Sequence, residues 1–241
     1  MKKSILSNPA FRYIFEIIVI VFSVTLSFYI QDILNEMEKI EQKNLSLSGV
    51  IDDLKKDLEN FNGAITLARI RTRNIDTLLD TRFENSSSNV NTGAKRYFGF
   101  LGNDSNYNSM VSTGSLEYIN DKKLFRLINR YYSSHYDIME DMSGQDENNY
   151  NGVINYLNKK YLTFIGDAVE IETGGGLFNE VDTTYRVNFS KKSLTKLKTD
   201  NEFISRINHQ KWIIRANMNI FKRAIVVNKE LQEMIANEIN N

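Results

Sequence analysis

The chain has no cysteine, a single proline and only two histidines, and its 30 basic side chains are balanced by 30 acidic ones. Without cysteine there is no disulfide framework, thiolate metal site or cysteine nucleophile. Two histidines leave little material for zinc or triad chemistry. Zero net charge removes the basic excess by which nucleic-acid binders are recognised, so no nucleic-acid partner is expected. With Pro9 as the only proline, almost nothing interrupts helices downstream. What the 241 residues do contain is asparagine, roughly one residue in eight, and one long apolar run near the start. That length can bury a sizeable core.

The apolar run, Tyr13 to Ile30, is interrupted only by Glu16 and a few hydroxyls, and Ile33 and Leu34 extend it. A bilayer span needs about 20 apolar residues at about 1.5 Å each, so residues 13–34 are expected to form one transmembrane helix. Lys2, Lys3 and Arg12 precede the run, whereas Asp32, Glu36, Glu38 and Glu41 dominate the far flank. The basic bias puts the N-terminus in the cytoplasm and the bulk of the chain outside it. A cleaved signal peptide, with Thr25-Leu26-Ser27 imitating its cleavage site, and a buried core helix of a soluble protein are the competing readings.

Glu16 is the odd residue, because a carboxylate at mid-bilayer costs about 2.5–3.5 kcal/mol and less near an interface. A pair with Arg12, one turn earlier, lowers that cost; a contact to a second transmembrane helix gives it a function. Ser23 and Ser27 form a small-xxx-small pair that lets such a helix come close. Glu16, Ser23 and Ser27 are therefore the candidate transmembrane contacts.

A heptad pattern leaves the apolar run. Ile30, Met37, Asn44, Ile51, Leu58, Ile65 and Leu79 share one position, and Ile33, Ile40, Leu47, Leu54, Phe61, Ala68 and Ile75 share the other, with Thr72 an exception. The alternating spacing predicts a stalk helix packed along one seam, about 75–80 Å long if unbroken. Gly49 and Gly63 fall on its outward face. A parallel homodimer would oppose Glu36 to Glu41, and the apolar face widens from Val50 onward, so the seam is expected to pack mainly within the chain. Asn44, polar on an apolar seam, is the candidate register device of an oligomer.

Beyond the stalk, 85–93 reads as a polar loop and Asp121 as the N-cap of a helix whose face runs from Leu124 to Met142. A polar break is expected at 143–149. Thr199-Asp200-Asn201-Glu202 has the form of a capping box opening the last helix. The segment 166–198, around Gly174-Gly175-Gly176, is expected to be a small β-hairpin or an irregular insert.

No catalytic motif emerges. His135, in YYSSHYD with Asp137 nearby, reads as a polar position on a helix face, with a catalytic or metal-binding role as the alternative, and His209, in NHQKW, lacks an i,i+4 His or carboxylate partner for a metal. The carboxylates Asp137, Glu140, Asp141, Glu170 and Glu172 need a shaped cleft to mean catalysis. The glycine run lacks the Lys-Ser/Thr of a phosphate-binding loop. Arg69, Arg71 and Arg73, like Lys191, Lys192, Lys196 and Lys198, form basic clusters that read as solvated faces, with an anionic partner or lipid headgroup as the alternative. No cofactor and no metal are expected.

Two segments carry a resemblance. RYIFEIIVIVFSVTLSFYIQDILNE, with Glu16-Ile17 and Gln31-Asp32, resembles the opening of an uncharacterised family of small single-pass membrane proteins common in Bacteroidota. YNSMVSTGSLEYINDKKLFRLINRYY is similar to its mid-chain pattern, with Ser112, Gly114, Leu116, Ile119, Leu124, Ile128 and Tyr131-Tyr132 in place. Around the end of the span, where members carry Gly, Ala and often Trp, this chain has Ser23 and Ser27. The resemblance covers roughly the first 135 residues and implies a membrane protein without an assigned activity.

The expected architecture is mainly α. Residues 1–12 form a short cytoplasmic N-terminus, 13–34 the span, and 35–241 an elongated periplasmic helical bundle anchored in the inner membrane. The expected function is protein–protein interaction, as a scaffold or accessory subunit, with the bilayer and a membrane protein or a second copy as partners. An extracytoplasmic sensor or ligand-binding bundle is the alternative. A tethered enzyme, using a cleft near His135 or the 166–198 insert, ranks behind both.

Overall fold

A computed structural model describes residues 9–240 except 83, 85, 98, 162–163 and 173–180; the side chains of 9–12, 164–172 and 181–188 also lie outside the description. With no proline after position 9, helix α1 runs unbroken over Pro9–Leu79. Its 71 residues span about 105 Å at about 1.5 Å each. The chain is mainly α. Helix α2 (Ser87–Asn89) widens into a π turn at Val90–Ala94. Then come α3 (Ser105–Thr113), a 3-10 turn (Ser115–Tyr118), α4 (Lys122–Arg130) and α5 (Tyr136–Lys160). Strands β1 (Phe164–Glu172) and β2 (Val181–Asn188) pair antiparallel, with Phe164 opposite Asn188 and Glu172 opposite Val181. The glycine run 174–176 lies outside the described residues. Helices α6 (Lys191–Leu197) and α7 (Asn201–Asn240) complete the chain.

Helix α7 returns antiparallel along α1. Lys43 meets Glu238, the Leu54 carbonyl meets Asn228, and Asp76 meets Lys211. The remaining helices cover this pair in two apolar clusters. One gathers Leu47, Leu54 and Phe61 with Met110, Leu124, Ile128, Phe221 and Leu231. The other gathers Ile75 and Leu78 with Val90, Val153, Leu157, Phe189, Phe203 and Ile207. Met218 touches both.

The seam is rotated by one residue from the heptad expected. Leu47, Leu54, Phe61, Ala68 and Ile75 are buried as expected, and so is Ile65, but the alternating positions at its centre are Lys43, Val50, Asp57, Ala64, Arg71 and Leu78. Ile51, Leu58 and Leu79 flank them, half-buried. Three of the central positions are charged, at intervals of fourteen residues, and each charge has its own partner in the core. An apolar-only reading shifts the seam toward the more hydrophobic neighbour. Asn44 accordingly sits beside the seam, while Lys43 occupies it. The first two heptads make no packing at all: Ile30, Ile33, Met37 and Ile40 are 43–61% exposed.

Other expectations are corrected. Gly49 is not on an open face, because a Cβ there would stand 2.4 Å from Oδ1 of Asn106 on α3, whereas Gly63 does face open space. The polar loop at 85–93 includes a helical turn capped by Ser86, and Val90 and Gly93 are buried against α1. There is no break at 143–149; α5 continues through it, with Ser143 and Asp146 buried. Asp121 caps α4 as expected, accepting from the amides of Lys123 and Leu124. The last helix is capped by Asp200, which accepts from the amides of Glu202 and Phe203, and Thr199 does not take that role.

Candidate functional site

The first feature that calls for a function is the N-terminal third of α1. It is the one stretch among the described residues long and apolar enough to cross a membrane, and none of it is buried against the bundle. From Tyr13 to Gln42 no side chain is buried. Phe22, Phe28 and Tyr29 are each about two-thirds exposed. A core helix of this chain's own bundle would be covered, and 13–34 is not.

The polar groups of this segment turn inward on the helix itself. The Ser23 hydroxyl donates to the carbonyl of Val19, Thr25 to Val21 and Ser27 to Ser23, each at 2.8 Å. The hydroxyl protons thus have partners without water, which lowers the cost of an apolar environment. Ser23 and Ser27 lie on one face, as the spacing requires, and both are exposed. Glu16 is exposed near the start of the run, and the side chain of Arg12 lies outside the description.

The exposed apolar strip outlasts the span. Met37, Ile40 and Leu45, the last 75% exposed, line an open groove of about 570 Å³ with Glu41, Asn44 and Ser48. Oδ1 of Asn44 is buried there without a hydrogen-bond partner. On the adjacent seam Lys43 pairs with Glu238 at 2.8 Å, and Glu238 also accepts from the amide of Asn120. This contact ties the last turns of α7 and the entry to α4 to the point where α1 enters the bundle.

The most polar part of the interior surrounds Asp57. Its Oδ2 accepts from the hydroxyls of Tyr131 (2.9 Å) and Tyr136 (2.6 Å), and its Oδ1 from the backbone and side-chain amides of Asn103, both 3.0 Å. Burial pushes the Asp57 carboxyl up, against the hydrogen bonds from Tyr136, Asn103 and Tyr131. Burial, reinforced by Asp57, pushes both phenols far above their ordinary range. Tyr131 also accepts from Asn228 of α7, which donates to the Leu54 carbonyl as well. A π turn at Tyr131–His135 widens the helix where Tyr131, Tyr132 and Tyr136 all enter the core. A carboxylate with four donors ties α1 to the helix carrying Tyr131 and Tyr136 and to the Asn103 segment.

The chemistry-bearing residues of the sequence do not converge. His135 is half-buried beside Tyr131, and burial, then Arg130, pushes its pKa down. His209 is exposed and stacks on Trp212 in the first third of α7. Asp137, Glu140 and Asp141 are exposed, and the side chains of Glu170 and Glu172 lie outside the description. No three acidic or histidine side chains gather as a metal-binding set among the described residues. The arginine cluster separates: Arg71 is buried against Asp146, whereas Arg69 and Arg73 face outward. Of the lysine cluster, Lys198 donates to the Asp80 carbonyl at 3.0 Å.

Comparison with known proteins finds no family model, no curated protein and no solved structure that matches this chain.

Proposed function

We propose that this chain is a single-pass membrane protein of the inner membrane, anchored by 13–34, that acts by protein–protein interaction as a scaffold or accessory subunit. The observation that carries the reading is the exposed apolar strip of α1, which continues from the span past Met37 and Ile40 to Leu45. A span accounts for about 30 Å of apolar helix. From Leu34 to Leu45 the strip runs a further 16 Å or so at about 1.5 Å per residue. Lipid tails do not cover that extension, and a partner helix, from a membrane protein or a second copy, does. Asn44, half-buried along the groove, is the polar residue that would fix the register of that partner. Within the bilayer, Glu16, Ser23 and Ser27 extend the same contact.

The basic residues before the span and the acidic ones after it favour a cytoplasmic N-terminus and a periplasmic bundle. The apolar run is longer than a signal-peptide core and the helical pattern of the sequence continues past Thr25-Leu26-Ser27, which favours an anchor over cleavage there. We read the β1–β2 pair as a hairpin insert at the end of the bundle away from the span. The reading agrees with the resemblance to the Bacteroidota membrane-protein family, and it involves no cofactor and no catalytic step.

The test is photo-crosslinking in intact cells with a photoreactive residue at position 40 or 45. A discrete adduct, weakened by Glu16→Leu or Asn44→Leu, is expected. Absence of any adduct at both positions, with the protein stably in the membrane, contradicts the interaction.

A further inference from the structure

At the far end of α1, an open groove of about 490 Å³ runs between α1 and α7. Arg69 and Arg73, one turn apart on α1, line it with Arg215 of α7. The groove also contains Asp76 and Asp80, but both carboxylates are already taken. Asp76 pairs with Lys211 and Asp80 with Arg82, and neither cation lines the groove. None of the three arginines forms an ion pair among the described residues. The groove is therefore a concave surface with three uncommitted guanidinium groups, in a chain whose overall charge is zero.

We infer that this groove binds the phosphate or carboxylate groups of an anionic ligand. Two-pronged recognition of such groups by guanidinium is directional and stronger than neutral hydrogen bonding. Three arginines from two helices converge on one space, whereas a merely solvated basic face scatters its charges. The Thr72 and Thr77 side chains lie in the same groove. Their hydroxyls donate within the helix, Thr72 to Ala68 and Thr77 to Arg73, so the arginines carry the recognition. Lys222 and Lys229 repeat the heptad position of Arg215 and are exposed, which extends the positive potential along α7. On the membrane reading above, Arg71 stands 37 residues beyond Leu34, about 55 Å from the bilayer at about 1.5 Å per residue. Charges so far apart are screened over about 8 Å at physiological salt, so the anion is not a headgroup of the anchoring membrane.

Trp212, the only tryptophan, is 62% exposed and lies three residues before Arg215 on α7, which makes it a built-in reporter. The test titrates the full-length protein in non-ionic detergent at low salt with inorganic tripolyphosphate and, separately, with citrate. Trp212 fluorescence and titration calorimetry are both followed. Saturable binding of either probe is expected, weakened about tenfold by Arg69→Gln, Arg73→Gln or Arg215→Gln. Arg126→Gln, the same charge change on α4, should alter it less than about twofold, as a remote charge screened by salt does. A response to tripolyphosphate alone assigns a phosphate ligand, and one to citrate alone a carboxylate. No saturable binding of either probe at about 10 mM, where even weak complexes form, overturns the inference. Equal weakening by Arg126→Gln and the groove variants does so too. Failure here leaves the membrane and crosslinking results untouched, so the two readings fail separately.

Discussion

Arg71 of α1 and Asp146 of α5 form a two-pronged ion pair inside the bundle, each side chain only 2% exposed. Two charges taken out of water together are tolerated because Nη1 and Nη2 of Arg71 meet both carboxylate oxygens of Asp146, leaving only the Arg71 Nε without a partner. The pair closes a sequence separation of 75 residues and fixes α5 against α1. Together with Lys43–Glu238 and the Asp57 cluster, it divides the α1 seam into apolar intervals with one polar lock each.

Arg71→Met leaves Asp146 buried without its cation and should destabilise the bundle by about 3–5 kcal/mol. The double variant Arg71→Met with Asp146→Leu should recover most of that loss, since apolar side chains of similar size suit the site. Denaturant unfolding followed by helical circular dichroism in detergent measures both. A double variant no more stable than the single one contradicts the lock.

The seam shows how far the sequence can be read. The long helix, the span and the buried series Leu47, Leu54, Phe61, Ala68 and Ile75 follow from periodicity and from the lack of proline. The rotation of the seam does not, because hydrophobicity alone favours Ile51 over Val50 and Leu58 over Asp57. The missed signal was the recurrence of Lys43, Asp57 and Arg71 at fourteen-residue spacing, each with apolar residues at i−3 and i+4: Ile40 and Leu47, Leu54 and Phe61, Ala68 and Ile75. The partners Asn103, Tyr136 and Asp146 come from segments with no fixed offset to α1, so pattern could not have paired them. The same holds for Arg215, which joins Arg69 and Arg73 only after α7 folds back. Glu16, Ser23, Ser27 and Asn44 were legible as polar residues on an apolar face, and the contact to a second helix proposed for them is not one that a pattern within one chain can pair.

Two glycines expose opposite demands. A Cβ on Gly102 would meet the Tyr136 ring at 2.4 Å, and that ring is held by Asp57 and cannot swing away freely. Gly102→Ala should cost about 1–3 kcal/mol by overpacking. Gly63 meets nothing within 4 Å, so Gly63→Ala should gain about 0.8–1 kcal/mol of helix propensity. Thermal unfolding of the two variants checks the contrast, and effects of the same sign would contradict it.

Asp200 sets an acid limb on stability. Burial alone would raise its carboxyl, but hydrogen bonds from Tyr156 and Tyr161, with Lys160 and the Phe203 amide, hold it well below the usual carboxylate range. The native state therefore binds fewer protons here than the unfolded chain, whose carboxyl titrates near about 4. Its contribution is present above that value and is lost as pH falls through the lower native one. Asp57, pushed up by burial, has the opposite sign, so the comparison is with a variant rather than with the whole acid curve. Asp200→Asn keeps a competent N-cap. Wild type should exceed it in unfolding midpoint at pH 7, and the gap should narrow below about pH 4. A gap independent of pH would contradict this assignment.

The central claim is that α1 carries the chain through a membrane and holds the bundle on the far side. Paired C-terminal fusions test it most directly: alkaline phosphatase, active only outside the cytoplasm, and a green fluorescent protein that stays dark when exported unfolded. The account predicts active phosphatase and dark fluorescence, both in the membrane fraction. Inactive phosphatase with bright fluorescence would place the bundle in the cytoplasm and contradict it.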